Sequence, residues 1–151
     1  MKKIGLTLLL ALCLAFLPLF SPAARAADLD EIERYDITVS VNDDGSLNLL
    51  YDIAWRVLDS DSEGPLEWVK VGIPNRHYRS ISLSDHPGAA AKARYLSDGG
   101  SYARIDLDRK YYAGEVAEFS FLVVQEYMYE LEEDAARYRF TPGWFEDIRV
   151  D

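Results

Sequence analysis

From Tyr35 to Val57 the chain alternates between apolar and polar residues with a period of two. Tyr35, Ile37, Val39 and Val41 take every second position, with Asp36, Thr38 and Ser40 between them. After Asn42-Asp43-Asp44-Gly45 the pattern resumes: Leu47, Leu49, Tyr51, Ile53, Trp55 and Val57 stand against Asn48, Asp52 and Arg56. Successive side chains of a strand point to opposite faces, so this spacing predicts two strands that are each apolar on one side. Asn, Asp and Gly tolerate the positive φ of a tight turn, which makes the interruption a hairpin connection. Tyr35, Ile37, Val39, Leu47, Leu49, Tyr51, Ile53 and Trp55 are the expected core-facing set. A lone hairpin is marginal in water, and a sheet with one apolar face needs a second layer to cover it.

The rest of the chain supplies that layer. Leu66–Ile73 is a short strand candidate stopped by Pro74, and Tyr78–Ser84 carries Ile81 and Leu83 on one side. Ala93–Leu96 and Ser101–Leu107 bracket the turn Ser97-Asp98-Gly99-Gly100. Val116–Tyr127 alternates Phe119, Phe121 and Val123 with Glu118, Ser120 and Leu122, and Arg137–Thr141 points Tyr138 and Phe140 inward. Met128–Ala136 reads as an acidic loop with at most one turn of helix. Short strands separated by turn signals, without a helical period, predict an all-β fold: an antiparallel immunoglobulin-like β-sandwich of about seven to eight strands.

The first 26 residues stand apart. Lys2 and Lys3 precede an apolar run over Leu6–Leu17, Pro18 breaks it, and Ala24-Arg25-Ala26 offers the small residues of a cleavage site. That order is a secretory signal peptide, too short to span a membrane, so the expected products are a leader (1–26) and an exported domain (27–151). The chain's one cysteine, Cys13, lies in the leader, which leaves the domain without disulfides or thiolate chemistry. Lys2, Lys3 and Arg25 also fall in the leader, so the domain holds 13 basic side chains against 26 acidic ones. A surface that acidic repels phosphate backbones and anionic lipid, and nucleic acid is not an expected partner. At the other end, Ile148-Arg149-Val150 looks like a strand just starting, so the domain is expected to continue beyond Asp151.

The leader, the hairpin Ile32–Trp55 and the segment from Gly64 to Ile73-Pro74 together resemble the extracytoplasmic N-terminal domain of a family of predicted bacterial membrane proteins of unknown function. The likeness covers Ile32 to Ile81. It departs from the family pattern at Leu49-Leu50-Tyr51, where relatives carry Val-X-Glu. The resemblance implies an outward-facing β domain of a membrane-anchored protein, and implies no activity.

No motif for catalysis stands out. Asp59, Asp61 and Glu63 ahead of Gly64 match the first, third and fifth positions of a calcium loop, but its twelfth position is Lys70 rather than the bidentate Glu. His77 and His86 lack the spacing of a zinc pair. Glu126, Glu130, Glu132, Glu133 and Asp134 could supply the paired carboxylates of a glycoside hydrolase only in a cleft that a small sandwich seldom has. The reading is therefore non-enzymatic, without cofactor. Aromatic faces are what sugar rings and peptides dock on, and Trp68, Tyr127, Tyr129 and Trp144 are the candidates for a ligand or partner patch. The expected role is interaction with a protein, a cell-wall component or a neighbouring domain of a longer chain; the alternative is a carbohydrate-binding module.

Overall fold

The structure, a computed structural model, describes residues 28–143, Phe145 and 148–150. The leader, Trp144 and Asp151 lie outside the described residues. Among the described residues ten strands follow one another without a helix: β1 Asp30–Val41, β2 Leu47–Val57, β3 Leu66–Gly72, β4 Tyr78–Gly88, β5 Ala90–Ser97, β6 Ser101–Tyr111, β7 Val116–Gln125, β8 Tyr129–Glu132, β9 Ala135–Tyr138 and β10 Arg149–Val150. They form a five-stranded sheet ordered β10-β1-β2-β7-β4, a three-stranded sheet ordered β3-β6-β5, and a two-stranded ribbon of β8 and β9. The pairings are antiparallel except β1 with β10, where Glu31 faces Arg149 and Ile32 faces Val150 in parallel.

The two larger sheets face one another across a single apolar cluster, the β-sandwich anticipated from the strand pattern. The five-stranded sheet contributes Leu49, Tyr51, Ile53 and Trp55 from β2 and Phe119, Phe121 and Val123 from β7. Val69 and Val71 of β3 and Ala103, Ile105 and Leu107 of β6 close it from the other side. Tyr51 stacks on Phe121 with ring centroids 4.7 Å apart and planes within 4°. Phe145 enters the cluster edge-on against Tyr35 and Trp55, at 5.1 and 5.7 Å.

Strand order departs from an immunoglobulin constant-type sandwich in one respect. That fold sets its first, second, fifth and fourth strands against its third, sixth and seventh. Here β7 takes the place beside β2, and β5 lies at the edge of the smaller sheet. The cause is local. Only Ala89 separates β4 from β5, and this residue bridges the sheets: its N–H donates to the Glu118 carbonyl of β7 (2.8 Å), and its own carbonyl accepts from Asp108 of β6 (2.9 Å). Gly88 makes the corner with φ 58°, and a Cβ there would sit 2.3 Å from the Glu118 carbonyl oxygen. No other residue fits both demands.

Two expectations from the sequence need correction. Val39 was placed in the core, yet it is 43% exposed, and Val41 beyond it is 56% exposed. The alternation set their face correctly, but β1 lies toward the edge of the wider sheet, and only Ile32, Tyr35 and Ile37 of its inner face reach the core cluster. Met128–Ala136 is not an acidic loop but most of the β8–β9 ribbon, closed by a two-residue turn at Glu133-Asp134. The Tyr129–Tyr138 ring contact and the Arg137–Glu132 and Arg139–Glu130 ion pairs across the ribbon stabilise it.

Candidate interaction surfaces

At one end of the sandwich the β1–β2 turn, the start of β4 and the end of β7 come together, and a buried polar knot holds them. Gln125, fully buried, donates from Nε2 to Asn75 Oδ1 (2.7 Å) and to the His77 carbonyl (2.6 Å). Asn75 Nδ2 in turn donates to the Glu126 carbonyl (3.2 Å), and Glu126 N–H to the His77 carbonyl (2.8 Å). Two residues on, Met128 is buried and its carbonyl accepts from Arg139 N–H (2.9 Å). Tyr127 is caught between these two anchors. It takes the left-handed conformation at φ 55°, a state costing about 1–2 kcal/mol for a residue with a Cβ. Its ring is 77% exposed and meets His77 edge-on at 5.0 Å.

Tyr129 stands next to Tyr127 and lies over the β1–β2 turn, close enough that a Cβ on Gly45 would come 2.8 Å from its ring. The two tyrosines line a small cleft with Asp44, Gly45, Ser46, Arg79 and Glu126. Arg79 spans its floor, 2.7 Å from Asp44 and 2.9 Å from Glu126. The Ser46 hydroxyl and Arg79 hold the Asp44 carboxyl well below the usual carboxylate range. Leu131 on the ribbon is 79% exposed. This end therefore holds large apolar side chains out in water beside a fixed ionic bridge.

Trp68 lies elsewhere. It sits near the start of β3, on the outer face of the smaller sheet, with the Arg104 guanidinium 4.0 Å above its ring. A cleft of about 380 Å³ joins Trp68 to Asp59, Glu63, Asp30 and Pro65 at the opposite end of the sandwich from Tyr127. The sequence candidates thus separate into Trp68, Asp59 and Glu63 at one end and Tyr127 and Tyr129 at the other; Trp144 falls outside the described residues.

The acidic loop is occupied with itself. Asp59 Oδ1 accepts from the N–H groups of Asp61 (2.7 Å) and Ser62 (3.2 Å), and Oδ2 from the Ser62 hydroxyl. These bonds draw the Asp59 carboxyl down from its usual pKa and make it the cap of its own turn. Among the described residues no three His, Cys, Asp or Glu side chains are grouped to hold a metal ion, Asp59, Asp61 and Glu63 included. Asp30 in the same cleft is displaced the other way: burial raises its carboxyl, opposed by the Trp55 indole and assisted by the charge of Glu63. Of the carboxylates weighed for hydrolysis, Glu126, Glu130 and Glu132 each meet an arginine, at 2.9, 3.3 and 2.7 Å from Arg79, Arg139 and Arg137.

The buried knot around Gln125 had no signal in the sequence. Gln125 continues the inward-facing series of β7 after Val123, so a polar residue in an apolar register was its only trace. No helix among the described residues is long and apolar enough to cross a membrane. Comparison with protein-family models, with curated proteins and with solved structures finds no match for this chain.

Proposed function

We propose that this is an exported, non-enzymatic interaction domain, the outward part of a membrane-anchored protein, that meets a protein or cell-wall partner with its Tyr127–Tyr129–Leu131 end. One observation carries the reading. Tyr127 is the most exposed of the described Phe, Trp and Tyr side chains, and it is held in an unfavourable backbone conformation. Strain of that kind persists only where the surroundings impose it, and such residues cluster at binding sites. Exposed aromatic and leucine side chains beside a fixed Arg79–Asp44–Glu126 bridge suit a partner with an apolar contact and a polar rim. Export rests on the leader, and anchoring on the family resemblance.

Site-specific photo-crosslinking on living cells tests this. A photoreactive residue at position 131 is expected to give one discrete adduct, and the same residue at Asp108, exposed on β6, none. Adduct formation from position 131 should fall at least about tenfold when Tyr127 is replaced by Ser. Equal labelling from both positions, or none from 131, would overturn the proposal.

A further inference from the structure

The outer edge of β1 is open. β10 pairs with Glu31 and Ile32 alone, and among the described residues nothing pairs with that side of β1 from Arg34 to Val41. Sheet edges are ordinarily guarded by lysine, proline, a bulge or very short length. This one has none of these. The only bulge lies before Arg34, the register with β2 runs unbroken from Arg34 to Val41, and Ile37-Thr38-Val39-Ser40-Val41 carries no charge. Val39 and Val41 point inward along this edge and remain exposed.

We infer that this edge is where a second copy of the chain adds its own β1, antiparallel, about a two-fold axis at Thr38, joining the two wider sheets into one. The register follows from two requirements. Directly opposed residues of an antiparallel pair must project to the same face, and the open segment must be covered along its length. With the axis at Thr38, Ile37 faces the partner's Val39, Tyr35 faces the partner's Val41, and Asp36 faces the partner's Ser40. Both exposed valines then gain apolar neighbours, and no like charges meet. An axis at Ile37 would set Val41 against Glu33, and one at Val39 would shorten the paired segment. The self-complementary chemistry of Tyr35–Val41 favours a second copy over an unrelated strand. The formal charge of −10 per chain opposes association, so the dimer should tighten as salt is added.

Thr38→Cys in a Cys13→Ser background tests the axis itself. The opposed Cα atoms would be about 4.5–5.5 Å apart, within reach of a disulfide. Mild oxidation is expected to convert most of this variant to a linked dimer, and to leave Asp52→Cys, exposed one strand inward, monomeric. Sedimentation equilibrium of the uncrosslinked chain should show a dimer whose dissociation constant rises at least about tenfold in Thr38→Lys, where two ammonium groups meet at the axis, with the near-UV circular dichroism retained. Failure of Thr38→Cys to cross-link, or a dimer indifferent to Thr38→Lys, would overturn the inference. So would a monomer whose β1 amides resist hydrogen exchange, since a different strand would then hold the edge.

Discussion

Val39 and Leu49 face one another across the first hairpin, and in the sequence little separates them: each is an apolar residue in a series that recurs at every second position. Leu49 is fully buried, while Val39 is largely in water. The difference lies one strand away. β2 sits between β1 and β7 and beneath the smaller sheet, so its inner face is closed on every side. β1 has β2 alone along this stretch, and the covering layer ends before it. Alternation decides which face a residue joins; the number of neighbouring strands decides whether that face leaves solvent.

Truncation on the two sides of this pair gives the sharpest measure of the contrast. Leu49→Ala should cost about 2–5 kcal/mol in urea unfolding, the range for a buried leucine whose cavity cannot collapse. A loss below about 1 kcal/mol would mean the second layer packs loosely over β2. Gly88→Ala comes next, because the new Cβ must displace the Glu118 carbonyl and accept a positive φ. A destabilisation of about 1–3 kcal/mol is expected, together with weaker exchange protection at Ala89 and Asp108, where the sheets are tied. The effect of Asp44→Asn is smaller, present at neutral pH and fading in acid. The folded chain holds the Asp44 carboxyl below its ordinary pKa, so its contribution is present above that value and is lost as pH falls toward the folded pKa. The unfolding midpoint of Asp44→Asn should therefore decline less than that of the wild type below about pH 4. Val39→Ala should change monomer stability by no more than about 0.5 kcal/mol, measured at concentrations low enough to exclude association. A cost near that of Leu49→Ala would erase the contrast.

The fold was legible wherever one physical cause acted alone. β1, β2 and β7 announce themselves because one apolar face recurs at a period of two along each. The turn at Asn42–Ser46 was readable because Gly45 needs φ 82° and Asp44 bonds the Ser46 N–H two residues on. What stayed hidden depended on partners distant in the chain. Nothing in His-Pro-Gly-Ala-Ala (86–90) says that a strand there changes sheet; the reason resides in Glu118 and Asp108. The β8–β9 ribbon was obscured because its stability comes from Tyr129–Tyr138 packing and from Arg137 and Arg139 pairing with Glu132 and Glu130, not from a buried face. Outward projection of Trp68 was apparent from its alternation with Val69 and Val71. Its distance from Tyr127 was not, since spacing within strands carries no information about which end of a sandwich each one reaches.

The seat of β7 beside β2 also sets the order of folding. β2 must pair with a strand that is made only after β3, β4, β5 and β6, so the central ladder closes a long loop. Non-local pairing of this kind places the entropic cost before the reward and slows folding to milliseconds or longer. Until β7 is available, β2 lacks its second ladder and the Tyr51–Phe121 stack, and a chain shortened before Val116 is expected to show no cooperative unfolding. An emerging polypeptide of this sequence is therefore expected to commit to structure late, once β7 has been made.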